Sequence, residues 1–162
     1  MPTPSTQVRP AQLSDLDVLA DLFDQYRQFY DQAPDLPRAR SFIAQRLQRG
    51  DSVILLAEAP SRQGLQDQQP QGFCQLYPSF CSIGAAPIQV LSDLFVHPEA
   101  RRLGVGAALL QAAEAQGSAL GLQHLELTTA HTNLRAQQLY ASQGWVQDLI
   151  YRTYCKPLPP SR

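Results

Sequence analysis

The stretch Leu94-Phe95-Val96-His97-Pro98-Glu99-Ala100-Arg101-Arg102-Leu103-Gly104-Val105-Gly106-Ala107 decides the reading of this chain. Its first three residues end an apolar run from Ile88 to Val96. That run stops at His97-Pro98, because the residue before a proline is held extended and proline cannot donate to a ladder. From Gly104 to Leu120 the pattern turns helical, with Leu109, Ala112, Ala113, Gln116 and Leu120 on one stripe and Gly121 as the stop. A buried strand thus leads through a loop into a helix start, where amide hydrogens lack intrahelical partners and the dipole is positive. Gly104 and Gly106 permit close backbone approach, and Arg101 and Arg102 add charge, so this is a compact cradle for an anion such as phosphate.

The rest of the composition gives that cradle its meaning. With 13 basic against 14 acidic residues in 162, bulk positive charge cannot carry binding to a nucleic acid, so any polyanion is held locally. The chain has 12 Arg but one Lys, Lys156, and 21 Gln but one Asn, Asn133. A Walker loop needs a lysine after its second glycine, which Lys156 cannot supply. A dinucleotide fingerprint would put a third glycine where Leu109 stands, although Glu126 falls near the position of a ribose-binding acid. Glycines that merely start a helix are the plain structural alternative.

Cys74, Cys81 and Cys155 form no C-x-x-C pair and stand near no paired histidines, so neither a disulfide scaffold nor a metal site is expected. The longest wholly apolar run is Val53 to Ala57, and the amino terminus has no signal-like apolar region. A cytoplasmic, soluble protein without membrane partners is the expectation. The length is that of one domain, 1–162 with a core of about 7–155.

Outward from the central stretch, the pattern predicts a strand at Gln7-Val8-Arg9 and an amphipathic helix from Ser14 to about Tyr30. A second helix runs from Arg38 to Arg49 and is closed by Gly50. Strands follow at Ser52 to Ala59 and Gly72 to Tyr77, joined by a polar connection at Pro60 to Pro70, with irregular chain from Pro78 to Ala86. After the central helix come a strand at His124 to Thr129, a helix from Asn133 to about Gln143 and a strand from Trp145 to Tyr154 with an interruption near Asp148. The order β-α-α-β-β-β-α-β-α-β describes an α/β (α+β) domain, a mixed sheet flanked by helices. The ends, about Met1 to Thr6 and Lys156 to Arg162, read as loose.

Arg101-x-x-Gly104-x-Gly106 after a strand resembles the Gln/Arg-x-x-Gly-x-Gly/Ala motif of the GNAT superfamily of acetyl-CoA-dependent N-acetyltransferases. Asn133-x-x-Ala136-x-x-Leu139-Tyr140-x-x-x-Gly144-Trp145 resembles its second signature, and Ser92 to Val96 with Ala136 to Tyr140 is most similar to the small histone/polyamine-type branch. The resemblance implies a pantetheine arm between splayed strands, paired to Leu94 and Val96 with Phe95 between them. It places a pyrophosphate on the amides of Arg102, Leu103, Gly104, Val105, Gly106 and Ala107 beside Arg101. Acetyl-CoA is then the co-substrate, no metal takes part, and dimers are common among similar proteins, so a homodimer is implied.

Acyl transfer to an amine needs a deprotonated amine, a stabilised oxyanion and a proton for the leaving thiolate. The resemblance makes Tyr140 the acid, and Asn133 both a helix cap and a cofactor contact. Asp93, a carboxylate inside the most apolar strand, asks for a partner or a purpose. It is the candidate base, relay or ammonium site, with a hydrogen-bonding role at a strand bulge as the alternative and Glu126 as second choice. Ser92 stands where some polyamine-type relatives carry a carboxylate. Six Asp at 15, 17, 21, 24, 31 and 35 accompany Tyr26, Phe29 and Tyr30, which suits a cationic amine, although a solvated helix face explains Asp17, Asp21 and Asp24 equally. Tyr30, Asp31, Tyr77 and Phe80 are the acceptor candidates. The expected function is acetyl transfer to a small primary amine, polyamine-like or amino-acid-like. A protein or peptide N-acetyltransferase and a non-catalytic acyl-CoA-binding domain are the alternatives.

Overall fold

The computed structural model of the chain describes residues 6–61 and 64–161. Its sheet has the order β1 (Gln7–Pro10), β2 (Val53–Ser61), β3 (Gly64–Cys81), β4 (Ala86–Val96) and β5 (Leu125–Glu126). The first three junctions are antiparallel and β4–β5 is parallel. Alternation along β2 explains its unbroken apolar run, because both faces are covered. Ile54 and Leu56 pack with Phe73 and Phe95 against Leu19, Leu22 and Phe23 of α1 (Leu16–Phe29) and Ala39 and Ile43 of α2 (Leu36–Arg49). Leu55 and Ala57 pack with Cys74, Leu76 and Leu91 against Val105, Leu109, Leu110 and Ala113 of α3 (Val105–Ala119). Leu19, Ile43, Leu56, Leu109 and Leu110 are wholly buried, each contributing about 1.5–3 kcal/mol of transfer free energy. The mixed α/β fold class expected from the sequence is the one observed, with α4 (Leu134–Ser142) as its last regular element.

Several boundaries move, each for a local reason. A 3-10 turn at Leu13–Asp15 precedes α1, and α2 starts at Leu36 because Pro37 falls in the first turn, where its missing N–H costs nothing. Asp35 caps that turn by accepting from the Arg38 amide at 3.0 Å, and Gly50 closes α2 in the left-handed region, φ 61°. The polar connection is mostly strand: β2 continues to Ser61 and β3 begins at Gly64, backbone pairing outweighing weak side-chain propensity. Residues 62 and 63 lie outside the described residues. Likewise Pro78 belongs to β3, opposite Gln89. It is tolerated because the β2 ladder begins only at Val53–Leu76, so at Pro78 the strand has one neighbour.

Two further corrections concern the end of the chain. Leu120 is exposed, and the inward stripe of α3 instead continues through Gly117, where an added Cβ would lie 3.2 Å from Leu125 Cδ2. The strand expected at His124 to Thr129 shrinks to Leu125–Glu126, paired only with Gln89 and Val90. The strand expected at Trp145 to Tyr154 does not form, and every residue from Val146 to Ser161 is exposed. Its natural neighbour would be the outer side of β5, which offers only a two-residue ladder.

Candidate functional site

Beyond Val90 and Glu126, β4 and β5 have no pairing, so the strands part. A bulge sits at the same place: Gln75 pairs with Asp93 and Leu76 with Leu91, leaving Ser92 as the extra residue. The bulge reverses the alternation of β4. Leu91, Leu94 and Val96 pack on the α3 side, whereas Phe95 packs on the α1 side and the Asp93 carboxylate meets Gln75 and Tyr26. A cavity of about 350 Å³ fills the gap, bordered by Leu91, Ser92, Leu94, Phe95 and Val96 on one side and Thr128 on the other.

One end of the cavity is the predicted cradle. Arg101, Arg102, Gly104, Val105, Gly106 and Ala107 all line it, and the exposed Leu103 does not. Gly104 has φ 82° with open space around its Cα, so glycine is required by backbone conformation and not by crowding. Arg102 also takes a positive φ, 67°, an unfavourable conformation for a side-chain-bearing residue. The first intrahelical bond of α3 is Ala108 N–H to Gly104 C=O at 3.0 Å, which leaves the amides of Val105, Gly106 and Ala107 without helical partners. Arg101 Nε donates to the Val96 carbonyl at 3.2 Å, tying the loop back to the strand end. Burial, then the nearby Arg135, push the Arg101 pKa down. A Cβ on Gly106 would lie 2.9 Å from Leu139 Cδ2, so α3 and α4 meet at the cradle. Charge, open amides and space fit the phosphates of CoA.

The other end is aromatic. Tyr140 lines the cavity with its ring 6.2 Å from Trp145, and its phenol is pushed up to about 12 by burial and then by Tyr30. Asn133 also lines it; its Oδ1 accepts from the Ala136 amide at 3.2 Å, confirming the cap, so any contact with a ligand falls to its NH2 group. Tyr26, Phe29 and Tyr30 form the opposite wall, with centroid distances of 5.2 Å from Tyr30 to each of the others.

Asp93 lies behind that wall and does not border the cavity. It is buried, accepts from Gln75 Nε2 at 2.6 Å, and Gln75 in turn accepts from Ser52 Oγ at 2.8 Å. Burial raises the Asp93 pKa, and hydrogen bonds from Gln75 and Tyr26 oppose the rise. Tyr26, which also donates to the Ser92 carbonyl at 3.2 Å, stands between Asp93 and the cavity.

The remaining candidates are not brought to the cavity. Asp31 is exposed at a left-handed turn, φ 61°. Tyr77 and Phe80 lie on the extended part of β3, with Phe80 78% exposed. Glu126 is exposed on β5, its carboxylate 3.7 Å from His124. The acids in and just before α1 have structural partners: Asp15 pairs with Arg9, Asp17 with Arg40 and Asp24 with Arg27, while Asp21 accepts from Gln25. Among the described residues no Asp or Glu lines the cavity. Sequence reasoning did not single out Tyr26, Thr128 or Arg135 as site residues. Only Tyr26 carried a signal, through its four-residue spacing to Tyr30 on one helix.

Comparison with known proteins agrees with this geometry. A family profile described as Acetyltransferase (GNAT) family matches residues 17–145. The chain is 41% identical over 152 residues to the "Uncharacterized N-acetyltransferase YhfO" of Bacillus subtilis (strain 168), covering 94% of this chain and 97% of that protein. It is 31% identical over 111 residues to "Aminoglycoside N(6')-acetyltransferase type 1" of Klebsiella aerogenes, 66% of this chain and 68% of that one. A crystal structure described as a probable acetyltransferase superposes with a TM-score of 0.84 at 35% identity, covering 96% and 99% of the two chains. A strand that parts from its neighbour at a bulge, aimed at an open helix start, therefore belongs to a known enzyme class: the chain is a member of the GNAT family of acetyltransferases, which take acetyl-CoA as co-substrate.

Proposed function

We propose that this protein transfers the acetyl group of acetyl-CoA to a primary amine of a small molecule, directly, in a ternary complex. The observation that carries the reading is one continuous cavity with open helix amides and arginines at one end and an aromatic wall facing Tyr140 at the other. The amides of Val105 to Ala107 with Arg101 and Arg102 would hold the pyrophosphate, and the free edge of β4 at Leu94 and Val96 would pair the pantetheine arm. Tyr140, protonated at neutral pH, donates a hydrogen bond to the leaving sulfur. Tyr26 couples the cavity to Asp93, giving the ammonium proton a route to a buried carboxylate. The N–C bond forms, the C–S bond breaks, and the thiolate takes its proton from solvent.

Between the two acceptor classes the lining favours an amino-acid-like amine. The other ammonium groups of a polyamine would find aromatic faces but, among the described residues, no carboxylate on the wall, and would share the cavity with Arg101, Arg102 and Arg135. Release of CoA thiol in the presence of acetyl-CoA and a panel of polyamines, amino-acid amines and peptides tests this. Turnover with free amines supports the reading, activity confined to peptides replaces the acceptor class, and tight acetyl-CoA binding without release for any amine refutes catalysis. We place the working enzyme in the cytoplasm as a homodimer.

A further inference from the structure

We propose that Gln75, oriented by Ser52, is a positioning residue for the loss of the amine proton: its neutral amide holds the Asp93 carboxylate toward Tyr26 without the fixed charge that would stop it taking a proton. The proposal rests on the reading that the ammonium proton reaches Asp93 through Tyr26. Gln75 and Asp93 stand directly opposite each other in β3 and β4, beside the bulge at Ser92, and their side chains meet on the α1 face. Phe73 and Phe95, two residues along each strand, pack against Tyr26 with ring centroids 6.1 and 6.5 Å from its own. Gln75 is wholly buried, and a buried amide is costly unless its donors and acceptor are paired. Its Nε2 donates to Asp93 Oδ2 at 2.6 Å, and its Oε1 accepts from Ser52 Oγ at 2.8 Å, at a half-buried position just before β2. An ionised carboxylate only accepts, so the amide NH2 must face it. The amide oxygen is then turned to Ser52, whose hydroxyl must donate. Ser52 in return keeps the amide from flipping, and a carboxylate held at one oxygen presents one orientation to Tyr26.

The choice of an amide has a chemical reason. An arginine or lysine in its place would also orient the carboxylate, but an opposite charge favours the ionised form and so opposes protonation. Among the described residues the side chains that donate to Asp93 are instead an amide, from Gln75, and a phenol, from Tyr26. The other titratable groups that face it are Cys74 and Tyr77 of β3, both pushed up to about 12, by burial first, and therefore uncharged at neutral pH. Behind Tyr26 stand two further phenols, Tyr30 and Tyr140. Arg46 of α2 and Asp51 act on Tyr77, and they pair with each other at 2.8 Å. Asp93 is thus oriented by neutral dipoles, which fix its place and leave its charge free to change.

Titration of the Asp93 carboxyl carbon by NMR in the full chain, with Asp93→Asn to assign the signal, reads this hold directly. Gln75→Leu removes a donor to the charged form, so the carboxyl should titrate at higher pH than in the parent. Ser52→Ala should move it the same way by less, and Ser52→Thr, which keeps the hydroxyl, should restore the parent curve. The probe reaction is acetylation of Nα-acetyl-lysine amide, a single alkylammonium with a pKa of about 10.4. The rising limb of its kcat against pH should move with the carboxyl in each variant. Plateau kcat should fall about tenfold in Gln75→Leu, the weight of one hydrogen bond, while acetyl-CoA affinity stays within about threefold. A carboxyl curve unmoved in both Gln75→Leu and Ser52→Ala overturns the proposal, and the Asp93 reading survives it wherever Asp93→Asn still abolishes the limb. A carboxyl curve that moves while the kinetic limb stays, or no acetylation of the probe at any pH, overturns the assignment of the amine proton to Asp93 and the proposal with it. Ser52 is half-buried, so its two variants decide the matter even where Gln75→Leu fails to fold.

Discussion

Replacing Tyr140 by Phe should slow turnover by roughly 10- to 150-fold, far less than loss of a true proton donor. The Tyr140 phenol is pushed up to about 12 by burial, and an ordinary thiol has a pKa of about 8.5. Full transfer from phenol to leaving thiolate would run uphill by roughly 3.5 pK units, about 5 kcal/mol at 1.36 kcal/mol each. The phenol therefore acts as a hydrogen-bond donor to developing negative charge, worth about 1.5–3 kcal/mol, and that range converts to the fold-change above. Phe keeps the ring against Trp145, so acetyl-CoA affinity should stay within about threefold. Free CoA can be followed with a thiol reagent after subtracting the constant signal of the exposed Cys155. Because the pKa is raised, the phenol remains protonated through pH 10, and kcat should show no descending limb from Tyr140 below about pH 11. A loss beyond about 1,000-fold would mean that the proton is transferred in full, and a parallel loss of affinity would mean that Tyr140 only packs.

Three other changes probe the remaining parts of the site. Gly106→Glu puts a Cβ 2.9 Å from Leu139 Cδ2 and a carboxylate at open helix amides, so calorimetry should detect no acetyl-CoA binding; retained affinity would move the phosphate site elsewhere. Asn133→Ala removes the acceptor of the Ala136 amide and should cost about 1 kcal/mol in urea unfolding, with none lost if α4 starts without a cap. For Asp93 the folded pKa is raised, so the stabilisation it gives is fully present below the unfolded carboxyl pKa and is lost as pH rises through the folded value. Asp93→Asn lacks that loss, so variant minus parent stability should increase as pH rises above the ordinary carboxyl range, and a constant difference would refute a raised Asp93 pKa.

The cradle and α4 were legible because their signals are local. Gly104 and Asn133 act through their own backbone turns, and the spacing that announces each turn lies within a few residues of it. Asp93 was legible only as an anomaly. Which way its carboxylate faces depends on the extra residue at Ser92, and that bulge exists because β3 and β4 fall out of register between Gln75 and Leu76, a matter of pairing between strands. Tyr77 and Phe80 were misplaced for a related reason: a proline at Pro78 reads as a break unless one knows that β3 has already lost its β2 neighbour. The missing final strand belongs with these, since whether Val146 to Tyr154 pairs at all depends on an edge elsewhere in the sheet.

The acidic first helix shows how such distant pairing changes a functional reading. Taken alone, six aspartates beside three aromatic rings describe a wall built for polycations. In the fold Arg9 bridges Asp15 and Glu58, Arg40 reaches Asp17 from the next helix, and Asp24 is spent on Arg27, on Gln28 and on the Asp35 amide. Those arginines pair three of the six aspartates, and among the described residues the cavity wall carries Arg101, Arg102 and Arg135 but no Asp or Glu. Near the acceptor end Asp93 is screened by Tyr26, and burial raises its pKa. An arriving ammonium thus meets aromatic faces first and a carboxylate only through a phenol. This arrangement penalises a retained second charge far more than it penalises the single proton that the reaction must remove.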